Sequence, residues 1–204
     1  MSKLLTVLGT LLLAACSLGP AQKDAPATYD LGAPRSIVAN QPRIRASLLV
    51  HAVAAPAWLD TTAIVYRLNY QDAARQQAYA NSRWAAAPAA LLTQRLRGRF
   101  AAATDSGVIG VADNARADYT LRVELEDFSH VFDTADASRA VVMARASIVN
   151  VAKRTLLAQK SFSIERAAAS PDAGGGVRAL ASAGDEMIEA VTAWAAASLA
   201  QEIK

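Results

Sequence analysis

The groups in this sequence that could do chemistry are few and far apart. There is one cysteine, Cys16, and there are two histidines, His51 and His130. Neither histidine has a partner at His-x-x-x-His spacing, so a zinc site would need carboxylates brought in by the fold. His51 lies in a predicted strand, where a solvent-facing or satisfied edge role is commonest. His130 lies near the tip of a predicted hairpin. Glu124, Glu126 and Asp127 suggest paired carboxylates for acid–base work, but the solvated face of an amphipathic strand gives the same pattern. Gly174-Gly175-Gly176 stands before a helix as a phosphate-cradling loop would, yet the lysine and Ser/Thr of such a loop are missing. The triplet reads as a flexible lead-in, and Asp105-Ser106-Gly107 reads as a turn. No Gly-x-Ser-x-Gly elbow occurs. No catalytic residue and no metal ligand can be nominated, and the chain is read as not an enzyme.

Cys16 has a more specific reading. Lys3 supplies a basic start, and Leu4 to Ala15 is almost wholly apolar. That run is too short for a membrane-spanning helix, which needs roughly 20 residues. It has the layout of a signal peptide. Leu13-Ala14-Ala15-Cys16 resembles the bacterial lipobox, in which a cysteine after small residues receives diacylglycerol before cleavage on its N-terminal side. A plain secretory signal, or a short buried helix with a chance cysteine, is the alternative. The only cofactor expected is this covalent acyl lipid, palmitate included. Ser17, rather than aspartate, follows the cysteine; by the enteric-type sorting that this resembles, the lipoprotein goes to the outer membrane and faces the periplasm.

Removal of residues 1–15 takes away one basic residue and leaves 20 basic against 18 acidic ones. The basic residues are scattered, which excludes a nucleic-acid footprint. With no second cysteine there is no internal disulfide, so the domain depends on its apolar core. Residues 16–28 form the lipidated cysteine and a small, polar, proline-bearing tether. Residues 29–204 form one domain of ordinary size.

These groups have to be positioned by strands, a helix, more strands and a second helix. Strands are expected at Tyr29–Leu31, Ile44–Val53, Ala63–Tyr70, Gln77–Arg83 and Val108–Val111. The clearest alternation puts Tyr119, Leu121, Val123 and Leu125 inward, with Glu124 and Glu126 outward, as in an antiparallel strand with one wet face. Ser138–Val151 alternates again, with Ala140, Val142, Ala144, Ala146 and Ile148 on one side, and Leu156–Ile164 closes the set. The connection between Phe128 and Ser138 reads as a hairpin. Pro88 opens a helix carrying Leu91, Leu92, Leu96 and Phe100 at helical spacing. A long helix runs from Val177, after a loop at Ala169–Gly176. The fold class expected is α/β: a single-domain mixed, largely antiparallel sheet packed against two main helices.

Certain residues in this layout carry a family resemblance. They are Tyr29-Asp30-Leu31-Gly32, then Ala55-Pro56-Ala57-Trp58-Leu59-Asp60 followed by Ile64-Val65-Tyr66-Arg67, then Trp84, then Pro88 with Leu91-Leu92, and a C-terminal helix with Trp194. Their order and spacing behind a lipobox resemble the ABC-type transport auxiliary lipoprotein family, which includes the paraquat-inducible outer-membrane lipoprotein. The resemblance implies a non-enzymatic accessory of a mammalian-cell-entry (MCE) and ABC-type system that moves lipids or other hydrophobic molecules. Its partners would be an MCE-domain protein, docked in the periplasm, and an ABC permease complex. The membrane would be met through the lipid anchor, and a docking role also allows a homo-oligomer.

Read as residues, Pro56 sets a bend and Trp58-Leu59-Asp60 puts a large apolar group in a loop, where binding residues concentrate. Trp58, Leu59, Asp60 and Arg67 are the partner-binding candidates. For Trp58, packing at the core edge is the commoner alternative, with Asp60 capping a turn through Thr61 or Thr62. Tyr66 is expected to face the core and Arg67 the surface. Trp84 and Trp194 are core candidates. Two other functions compete: a periplasmic lipid carrier with a pocket between sheet and helices, and an envelope hydrolase.

Overall fold

The computed structural model describes residues 25–33, 43–105, 107–110, 113 and 115–202. The signal segment, Cys16, Ser17 and the tether up to residue 24 lie outside the described residues. Eight strands form one sheet with two long helices on one of its faces, a mixed α/β single domain.

The spine is β6 (Tyr119–Phe132), paired along its length with antiparallel β7 (Ser138–Asn150), which pairs in turn with antiparallel β8 (Thr155–Ala167). The other edge of β6 holds two parallel strands end to end. These are β2 (Leu48–Val50), beside residues 119–121, and β3 (Ala63–Leu68), beside residues 130–132. Outward from β3 run β4 (Gln76–Trp84), antiparallel, and β1 (Ala27–Tyr29), parallel to β4; β5 (Val108–Ile109) flanks β2. The long ladders are therefore antiparallel and the short ones parallel. A four-residue helical turn, α1 (Asn69–Asp72), links β3 to β4.

The expected second strand shrinks to Leu48–Val50, with isolated bridges at Ile44 and Ala54. The first strand lies earlier than expected. It ends at Tyr29, where the Gly32 N–H donates to the Asp30 carboxylate at 2.7 Å, and Gly32 takes φ +69°. In β6 the alternation holds as far as Leu125. A bulge at Glu126 then moves the register between Leu125 and Asp127, and the core-facing positions become Phe128, His130 and Phe132. The expected hairpin connection is corrected by this phase change. The strand continues through His130 to Phe132, and the turn is 133–137, closed by the Asp133 N–H donating to the Ala137 carbonyl.

Helix α2 (Pro88–Ala103) carries Pro88 in its first turn and buries Leu92, Leu96 and Phe100. Helix α3 (Ala173–Glu202) is about 45 Å long at 1.5 Å per residue. Along the apolar stripe that helical spacing predicts it buries Val177, Leu180, Gly184, Ile188, Val191 and Leu199, whereas Trp194, which the same spacing includes, is only half-buried. Ala140, Ala144 and Ala146 of β7 are wholly buried, as are Ala183 and Ala195 of α3. Small side chains on both surfaces let the helix sit close to the sheet.

The helix also begins earlier than expected, so Gly174, Gly175 and Gly176 lie in its first turns rather than in a loop. A Cβ on Gly176 would lie 2.4 Å from His130 Nδ1, and one on Gly175 would lie 2.1 Å from the Ser170 carbonyl oxygen. The glycines allow a close approach that no side chain permits.

Candidate functional site

Both long helices cover the same sheet face; neither packs on the other face, where Val65, Ser129, Val131 and Val141 are nonetheless buried. The line of chain that follows β2 leaves β6 after Ala54, whose N–H donates to the Val123 carbonyl and whose carbonyl accepts from Leu125 N–H. It rejoins at Tyr66, opposite His130. Residues 55–62 loop out of the gap. The Pro56 carbonyl turns the loop by accepting from Leu59 N–H at 2.9 Å and from Asp60 N–H at 3.2 Å.

The neighbours in this loop have opposite fates. Leu59 is 1% exposed and pins the loop into the core, so its side chain is removed from the surface candidates. Trp58, one residue earlier, is 36% exposed. Asp60 is exposed, and Thr61, not Asp60, supplies a side-chain acceptor here, to Ala63 N–H at 3.3 Å. Arg67 lies on the face opposite Tyr66, with its guanidinium carbon 5.5 Å from the centre of the Trp58 ring. Its head is 4.0 Å from Asp127, a loose pair that leaves Arg67 Nε and Asp127 Oδ1 shut from solvent without a partner.

A cleft of about 510 Å³ opens beside Trp58. Ala54, Ala55, Pro56 and Trp58 line one side, Glu124 and Glu126 the other. Arg145 of β7 bonds Glu124 and reaches Glu126 at 3.9 Å, which holds its guanidinium pKa above the usual value. Met143, 38% exposed, adds to the same face. Bulge, cleft and Met143 went unread in the sequence, because only strand pairing brings those positions to Trp58.

The two histidines stay apart. His51 is half-buried, and its pKa is lowered by burial and by Arg122 and Arg97. His130 is 0% exposed, 2.8 Å from the Tyr79 hydroxyl through Nδ1, with Nε2 unpartnered. Burial pushes its pKa down to about 4, although the Asp172 charge acts the other way. Burial likewise raises Tyr79. The Tyr66, Tyr79 and Phe132 rings pack around this pair, so no substrate reaches the imidazole. Among the described residues no group of three or more His, Cys, Asp or Glu converges as metal ligands would.

Trp84 is core, against Phe128, and half-buried Trp194 packs edge-on against Phe162. Between α2 and α3 lies a depression of about 600 Å³. It is crossed by Arg95, bound to Asp185 and to the Leu31 and Gly32 carbonyls, and by Arg99, bidentate to Glu189 at 2.5 and 2.9 Å. These pairs tie the helices to each other and to the segment after β1. No helix among the described residues is long and apolar enough to cross a membrane.

The model of the family described as ABC-type transport auxiliary lipoprotein component matches residues 29–192. No curated protein matches the chain. Among solved structures, a Xanthomonas campestris protein of family DUF330 is similar at a TM-score of 0.71 and 19% identity, over 87% of this chain and 96% of its own. An uncharacterized protein is similar at 0.61 and 17%, over 83% and 97%. The hypothetical protein CT253 of Chlamydia trachomatis is similar at 0.51 and 7%, over 76% and 98%. At these identities the likeness is one of fold.

Proposed function

Since the chain belongs to the ABC-type transport auxiliary lipoprotein component family, we propose that it is a non-enzymatic, outer-membrane-anchored accessory of an MCE/ABC-type lipid-transport system. It docks the MCE assembly in the periplasm. The anchor is acylated Cys16, and the tether gives the domain its reach from the membrane. The observation that carries the docking reading is the sheet face on which neither long helix packs, where Leu59 holds the loop down and exposed Trp58 lies against the guanidinium of Arg67. An exposed aromatic ring beside an arginine, with Met143 on the same sheet face, is the composition of an interface anchor.

The close packing of α3 on the alanines of β7 disfavours a lipid cavity beneath that helix, and the depression between α2 and α3 is crossed by the Arg95 and Arg99 ion pairs, so the carrier alternative is the weaker one. The test is a mild crosslink in intact cells, purification through a C-terminal tag, and mass spectrometry of the attached proteins. Recovery of an MCE-domain protein, lost in Trp58→Ala, supports docking. Phospholipid in place of any envelope partner would transfer the assignment to an independent carrier.

A further inference from the structure

We propose that the cleft beside Trp58 receives an extended partner segment in which an apolar side chain sits between lysines or arginines. The proposal rests on the docking reading and names the chemistry of what docks. The cleft exists because β2 and β3 interrupt each other along β6 just where the Glu126 bulge bends the strand. It is an open cleft of about 510 Å³. Ala54, Ala55, Pro56 and Trp58 give one side of the cleft an apolar lining, against which an apolar side chain packs.

The rim sets the charge of the flanks. Although the whole chain is net positive, Glu124 and Glu126 line the cleft and share a single guanidinium, that of Arg145, which leaves the rim one negative charge in excess. Glu124, Glu126 and Arg145 are all more than a third exposed in their side chains. Exposed pairs of this kind hold weakly, so an incoming cation exchanges with Arg145 at little cost. An acidic peptide or the phosphate of a lipid headgroup would meet the carboxylates at close range and be repelled. The observations therefore favour a basic polypeptide segment over a lipid surface.

The mature lipoprotein, whole and in a non-ionic detergent, is titrated into two fluorescein-labelled peptides. One has a leucine–phenylalanine–leucine centre between pairs of lysines, and the other has glutamates in their place. Anisotropy should show the lysine peptide bound roughly tenfold or more tightly, with the preference shrinking as salt rises from about 0.05 to about 0.5 M. Glu124→Gln combined with Glu126→Gln should abolish the preference without lowering the melting temperature, because both side chains are exposed. Equal affinities, a preference for glutamate, or a preference unchanged in the double variant overturns the proposal. If crosslinking still recovers the partner while the lysine peptide fails, docking stands and this cleft chemistry falls. If the lysine peptide binds and no envelope partner is recovered, docking falls and the cleft chemistry stands.

Discussion

Alanine at Gly176 should destabilise the protein, whereas alanine at Gly98 should stabilise it. Both glycines are helical, and in an exposed helix interior alanine is favoured over glycine by about 1 kcal/mol. At Gly98, exposed on α2, nothing lies within 4 Å of an added Cβ, so most of that gain should appear. At Gly176 the Cβ would meet His130 Nδ1, Cγ and Cε1 at 2.4, 2.7 and 2.8 Å. The ring cannot easily retreat. It is wholly buried, tied to Tyr79, and packed against Phe132 with ring centres 4.5 Å apart.

Forcing a methyl into such packing costs about 1–3 kcal/mol, and three contacts under 3 Å with a ring that cannot retreat put this case at the upper end, so the net effect is a loss of about 2 kcal/mol after the helix gain of about 1 kcal/mol is subtracted. For a domain of this size, 1 kcal/mol corresponds to about 2–4 °C in melting temperature. Gly176→Ala should therefore melt several degrees below the parent and Gly98→Ala a few degrees above it, in thermal scans checked by urea titration. A Gly176→Ala protein as stable as the parent would refute the close approach of α3 to His130. It would return the glycines to the role of flexible lead-in.

Leu59→Ala should cost about 2–5 kcal/mol in urea unfolding, as a core truncation does. Trp58→Ala should cost less than Leu59→Ala and act instead on partner capture; a larger loss at Trp58 would make it a packing residue. Acid should destabilise the protein through His130. Its folded pKa of about 4 lies below the ordinary 6.5, so the unfolded chain takes up the proton first and stability falls as pH drops from about 6.5 to 4. The total is about 3 kcal/mol, and His130→Phe should flatten this part of a stability–pH curve measured by urea midpoints. Cys16→Ala should leave the domain folded but move it to the soluble periplasmic fraction, or leave its signal unprocessed, by fractionation and gel mobility. Unchanged size and membrane attachment would refute lipidation.

The elements with strong periodicity were legible without coordinates. The odd-numbered inward positions of β6 up to Leu125, the alanine face of β7, the leucines of α2 and the stripe of α3 each follow one period over many residues. Each alone decides which side must leave water. Tyr66 inward and Arg67 outward followed from the same rule. His130 was misread because a single extra residue at Glu126 reverses that rule, and a bulge is set by the neighbouring strand rather than by local composition.

The site divides in the same way. Sequence by itself determined the loop, the bend at Pro56 and the two large apolar residues that follow it, because those depend on residue type and adjacency. It could not say which of Trp58 and Leu59 stays at the surface, since hydrophobicity ranks both for burial. Tertiary structure decided that, by seating Leu59 among core residues on the helix side and leaving Trp58 on the face no helix covers. It also brought Glu124, Glu126 and Arg145 to the cleft. Such contacts join residues remote in the chain, and only the register of paired strands, a property of the whole sheet, specifies them.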